Sequence, residues 1–163
     1  MPETIESMRK KLGRRINLVG AEEPPEQTGA CVFDRTFAAS NELKNEVLDA
    51  LLAELLARGA LAKPGEDMQA RLCLDEALVN AVMHGCQYDA SKAIRVRAYC
   101  GAAKWSVLVE DPGGGFREED LPDPNAAENL LEESGRGILL MRAMMDEVSY
   151  WRGGSALLLS KKR

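Results

Sequence analysis

Glu76 and Asn80 are the residues of this chain whose types and spacing point most directly to chemistry. They stand four apart in Asp75-Glu76-Ala77-Leu78-Val79-Asn80, a helix-favouring stretch, so both side chains leave one helix face about one turn apart. An amide oxygen is a neutral hard ligand, suited to a Mg2+ ion shared with phosphates. A carboxylate one turn earlier can take a proton from a hydroxyl or water attacking a γ-phosphate. Alone, such a pair is ordinary on a solvated helix face. His84, one further turn along, reads as a helix-end contact ahead of any direct role.

Two glycine-rich turns follow and change that weighting. In Asp111-Pro112-Gly113-Gly114-Gly115-Phe116, a strand ends on a carboxylate beside backbone that a ligand can approach closely. Ionised Asp only accepts hydrogen bonds, so Asp111 suits an exocyclic amine such as that of adenine. In Ser134-Gly135-Arg136-Gly137, glycines open a helix, expose its first N–H groups and favour phosphate there. Arg136 adds a cation for a charge-assisted contact. Neither turn carries the Gly-x-x-x-x-Gly-Lys-Ser/Thr pattern of a P-loop, and neither follows the first strand as a dinucleotide turn must.

The elements that position these residues are legible from periodicity. Residues 31–37 alternate as a strand. Ser40 caps a helix with apolar positions Leu43, Val47, Leu48, Leu51, Leu52, Leu55 and Leu56, ending near Gly59. A second helix is expected from Glu66 to His84, stopped by Gly85, with Met68, Leu72, Leu78, Val79, Val82 and Met83 among its apolar positions. Strands at 93–99 and 105–110 flank Gly101-Ala102-Ala103 as a hairpin. An acidic, proline-containing stretch, 117–133, reads as a lid or loop. A third helix at 137–146 and strands at 148–151 and 156–160 complete the chain. The pattern predicts a two-layer α/β sandwich, its mixed, largely antiparallel sheet covered on one face by helices. Residues 1–30, with a basic cluster at 9–15 and Glu22-Glu23-Pro24-Pro25-Glu26, are expected to be a peripheral extension, and 31–163 the functional domain.

Bulk properties narrow the class. The chain has 163 residues, 45% of them apolar and 29% charged, a profile of one globular domain. A formal net charge of -5 argues against direct nucleic-acid binding, which needs a basic footprint. Cys31, Cys73, Cys86 and Cys100 form no CxxC pair, and one histidine makes a zinc site an unsuitable reading. Cys73 and Cys86 read as small core residues. Free thiols, no long apolar run and no signal-peptide pattern predict a cytoplasmic protein without a membrane span.

The order and spacing of the three segments resemble the histidine-kinase-like ATPase superfamily, the Bergerat nucleotide-binding fold. Glu76-Ala77-Leu78-Val79-Asn80-Ala81-Val82-Met83-His84-Gly85 is similar to its asparagine-containing box. Asp111-x-Gly113-x-Gly115-Phe116 is similar to its first glycine box, and Ser134-Gly135-Arg136-Gly137-Ile138-x-Leu140-Met141 to its second. The run Met144-Met145-Asp146-Glu147-Val148 most resembles the anti-sigma-factor serine kinases. The resemblance implies ATP and Mg2+ as cofactors, with Asn80 as metal ligand, Glu76 as general base and Asp111 on the adenine amine. It implies that Gly113, Gly115, Gly135 and Gly137 shape the pocket, with Arg136 beside them. It also implies a sigma factor or an anti-sigma antagonist as partner, a serine or threonine as acceptor, and a homodimer as a common assembly.

Two functions share these residues: a protein serine/threonine kinase, and a nucleotide-gated binding module without significant transfer. Two others do not suit the chain. A two-component histidine kinase needs an acceptor histidine on a separate helix, and His84 lies inside the nucleotide motif. A gyrase-type ATPase would need a further domain after residue 163.

Overall fold

Ser40 opens the first helix by accepting a hydrogen bond from the Leu43 N–H (3.2 Å), which satisfies one of the four donors a helix start leaves unpaired. The computed structural model describes residues 16–18, 22–113 and 140–163. In chain order the elements are β1 (Ile16–Leu18), β2 (Ala30–Ala38), α1 (Asn41–Ala57), α2 (Glu66–Asn80), β3 (Ala93–Cys100), β4 (Lys104–Glu110), β5 (Glu147–Trp151) and β6 (Ala156–Lys162). Residues 140–144 are helical. The strands form one sheet in the order β1-β5-β6-β4-β3-β2. Every pairing is antiparallel except β1 with β5. The expected α/β sandwich is therefore present, with helices packed on one face of the sheet.

Alternation along the strands sends Phe33, Phe37, Ile94, Val96, Ala98, Trp105, Val107, Val109, Val148, Tyr150, Leu157 and Leu159 into the main core. There they meet Leu51 and Leu55 of α1, Leu74 and Leu78 of α2, and Met141 and Met145. Full burial of each such aliphatic side chain is worth about 1.5–3 kcal/mol over exposure. The opposite face carries a smaller cluster, Leu108, Ala156 and Leu158 with Trp151 packed against it, and a polar flank in which Arg95 pairs bidentately with Asp34 (3.0 and 2.8 Å).

Several residues at the expected apolar helix positions face outward. Leu56 is exposed on α1, Met68 and Leu72 on α2, and Met83 beyond it. On α2 the buried apolar set is Ala70, Cys73, Leu74, Ala77 and Leu78, extended by Ala81 and Val82. Those positions form one helical stripe, and three of its members are alanines, a composition that permits close packing of helix on sheet. Large side chains one or two positions away, Met68, Leu72 and Met83, are turned to solvent. Cys73 and Cys86 are buried as expected, and burial pushes the Cys73 thiol up to about 11. Lys44, itself buried, reaches across to Asp75 (2.7 Å), and Arg71 to Asp49 (3.0 Å), so ion pairs tie α1 to α2 directly before Glu76.

Residues 16–18 were not expected to enter the fold. They extend the sheet as β1, parallel to β5, with Ile16 opposite Val148 and Leu18 opposite Tyr150. Only three residues long, this segment falls below the length at which alternation is informative.

Candidate functional site

Glu76 and Asn80 occupy the last turns of α2, both half-buried and both on its i, i+4 face. The expected helix to His84 changes pitch after Asn80. Residues Ala81–Gly85 form a π-helical turn, closed by the Cys86 N–H donating to the Ala81 carbonyl (2.9 Å). One extra residue per turn carries the backbone of Gly85 toward the end of β4. His84 lies exposed in this turn.

Asp111 follows β4 directly. Its backbone N–H donates to the Ser155 carbonyl (2.9 Å), and its carboxylate accepts from the Gly113 N–H (2.8 Å). The carboxylate rests against Gly85. A β-carbon on Gly85 would stand 2.4 Å from the Asp111 carboxyl carbon and 2.5 and 2.6 Å from its oxygens. A β-carbon on Gly113 would meet the Gly85 carbonyl oxygen at 2.4 Å. The two motifs, more than twenty residues apart in sequence, therefore interlock through backbone that carries no side chain. Sequence reasoning took Gly85 as a helix stop and as the last residue of the asparagine-containing segment, without a role in the site. Its position at the end of the asparagine-containing segment was the available signal.

Burial raises the Asp111 carboxyl above the ordinary range, partly offset by the Gly113 N–H and by the charges of Arg152 and Lys92. The same burial, reinforced by the nearby Asp111 charge, raises the Cys86 thiol. Because the folded state holds the Asp111 proton to higher pH than the unfolded chain does, this group's contribution is most favourable at low pH. It is lost as pH rises through the raised folded value. Asp111→Asn should therefore increase the thermal midpoint at pH 7, and the gain should shrink on acidification; thermal unfolding from pH 4 to 8 measures it.

Gly115, Gly135, Arg136 and Gly137, and the acidic stretch 117–133, lie outside the described residues. Among the described residues, Glu76, Asn80, Asp111 and Gly113 all occur in α2 or in the segment that meets its π-helical end. No group of three or more His, Cys, Asp or Glu among the described residues could hold a metal ion by itself. The lone amide of Asn80 instead suits a hard cation whose other ligands are phosphate and water oxygens. The half-buried Asp111 acceptor, flanked by bare glycine backbone, suits an amine donor on a flat ring.

The site thus sits on a helix-covered mixed sheet, where an asparagine-bearing helix is locked to an Asp-x-Gly turn. The sequence pattern of the histidine kinase-like ATPase domain matches residues 30–161, and the chain belongs to that family. It is similar to the anti-sigma F factor of Clostridium perfringens (strain SM101 / Type A), at 30% identity over 97 residues, which cover 56% of this chain and 69% of that protein. It is also similar to the serine-protein kinase RsbW of Bacillus subtilis (31% over 84 residues, 48% of this chain and 52% of that one). RsbW of Bacillus pumilus gives 33% over 88 residues, 48% and 53%. The match thus spans about half the length of the RsbW proteins. Among the described residues no helix is long and apolar enough to cross a membrane.

Proposed function

We propose that this protein binds Mg-ATP and transfers its γ-phosphoryl group to a serine or threonine of a partner that regulates a sigma factor. The observation that carries this reading is the interlock of Asp111 with Gly85, at the end of the helix that bears Glu76 and Asn80. Names of relatives add to it: one group is called an anti-sigma factor, the other a serine-protein kinase.

Each residue has a separate task in this reading. Asp111 accepts the adenine amine and so selects the base. Asn80 supplies one oxygen to Mg2+, which when bound neutralises charge on the phosphates. Gly113, with Gly115, Gly135 and Gly137, lets backbone approach the nucleotide, and Arg136 pairs with phosphate. Glu76 removes the proton from the acceptor hydroxyl as its oxygen bonds to phosphorus and ADP departs. Residues 31–163, with β1 at 16–18 added to the sheet edge, form the functional domain of a cytoplasmic regulator that engages a sigma factor or its antagonist.

Affinity capture from lysate in ATP and then ADP, followed by transfer of labelled phosphate from ATP to the captured proteins, tests the proposal. Label on a partner serine or threonine supports it. Nucleotide-dependent capture with no label would favour a nucleotide-gated binding module on the same pocket. Asn80→Ala should weaken ATP binding about tenfold in Mg2+ and change it little in EDTA. Equal affinity of variant and parent in Mg2+ removes Asn80 from the metal site.

A further inference from the structure

Arg152, in the turn between β5 and β6, holds a left-handed backbone (φ 50), which side-chain-bearing residues rarely adopt. Gly153 (φ 69) and Gly154 (φ 100) follow it in the same region. A glycine would occupy position 152 without strain, so the arginine persists there against a backbone cost that its contacts must offset.

Those contacts join two parts of the chain. The Arg152 backbone N–H donates to the Glu22 carbonyl (2.9 Å), in the segment that leads from β1 to β2, a bond that glycine would keep, so the arginine side chain itself reaches this segment through Glu23. Its guanidinium stands 3.2 Å from Glu110 and 3.9 Å from Glu23. Glu110 is also paired with Arg97, is mostly buried, and directly precedes Asp111. The Arg152 carbonyl accepts from the Ser155 hydroxyl (3.0 Å), and the Ser155 carbonyl accepts from the Asp111 N–H (2.9 Å). Two routes therefore run from Arg152 to Asp111, one through Glu110 and one through Ser155. A third contact runs outward to residues 22–23. These residues cross from the β1 edge of the sheet toward β2 at the opposite edge, because β1 and β2 are its two outermost strands.

We propose that Arg152 is a positioning residue which couples the segment 22–29 to the nucleotide pocket, so that docking of this segment on the β5–β6 turn holds Asp111 in place and raises nucleotide affinity. This rests on the reading of Asp111 as the adenine acceptor. Coupling between two sites is reciprocal: a nucleotide that favours the docked segment is favoured by it to the same extent.

Titration of the full chain with a fluorescent ADP analogue, for the parent and for Arg152→Gly and Arg152→Lys, tests this. Glycine relieves the backbone strain, so Arg152→Gly keeps the fold. It should raise the Kd about tenfold, within the ordinary range of coupling between sites. Asp111 is faced by Arg152, Lys92, Cys86 and the Gly113 N–H, with Glu110 beside it in sequence. Loss of the arginine charge should therefore also move the acid limb of ADP binding to higher pH. Arg152→Lys should restore most of the affinity and the pH profile. Hydrogen exchange at the Arg152 amide should slow when ADP binds the parent protein. If the parent binds ADP and Arg152→Gly matches its affinity and pH profile, the coupling is wrong while the nucleotide reading stands. If lysine restores neither, the charge has no positioning role. Exchange at the Arg152 amide that ADP leaves unchanged removes the segment from the coupling. A parent that binds no ADP overturns both readings.

Discussion

Glu76→Gln should leave ATP affinity within about twofold and lower phosphoryl transfer by about a hundred- to ten-thousandfold, the range that a positioned general base contributes. Glutamine keeps the size of the side chain and much of its hydrogen-bonding capacity, but it cannot accept a proton. Glu76 is half-buried on the i, i+4 face it shares with Asn80, so the substitution removes no core volume. Equilibrium binding of ATP and single-turnover transfer to the partner separate the two effects. Transfer at the parent rate would show that another group takes the proton, and the assignment of Glu76 would fall. A proportional loss of both would make Glu76 a binding residue instead.

Gly85→Ala is expected to have the largest effect on nucleotide binding. The new methyl group would stand 2.4 Å from the Asp111 carboxyl carbon, inside any tolerated contact, so either the carboxylate or the π-helical turn must move. Forcing a methyl into a packed site costs about 1–3 kcal/mol in stability. At this chain length that corresponds to a fall of roughly 2–12 °C in thermal midpoint. ADP affinity should drop by more than about a hundredfold, since in the proposed reading the displaced carboxylate no longer meets the base. A second substitution isolates the cause: Gly85→Ala with Asp111→Gly should recover most of the thermal stability and none of the affinity. Failure of that pair to recover stability would place the strain elsewhere in the turn.

The match between expectation and fold was closest where a local pattern repeats along the chain. Strands β3 and β4 appear within one residue of their expected bounds, because alternation and the Gly101-Ala102-Ala103 break act on neighbouring residues. Helix α1 was legible for the same reason, through a leucine-rich face and a serine cap. Helix α2 was less so. Its inward stripe is marked by small residues such as Ala70 and Ala77, while Met68 and Leu72, with greater hydrophobicity, face solvent. Hydrophobic pattern reads side-chain chemistry and carries no information on how closely a helix approaches a sheet. β1 escaped notice because its pairing partner lies at the far end of the chain.

For the site, sequence alone determined the parts: a carboxylate and an amide one turn apart, an Asp-x-Gly turn after a strand, and their order along the chain. Residue type and helical spacing suffice for that, because both are local. Tertiary structure decided what those parts meet. The shift from α to π pitch after Asn80 brings Gly85 under Asp111, and Ser155 and Arg152, from the last hairpin, hold the strand end that carries it. None of these contacts leaves a periodic trace in sequence. They arise from the packing of segments distant along the chain, where a single missing β-carbon sets how closely two backbones can approach.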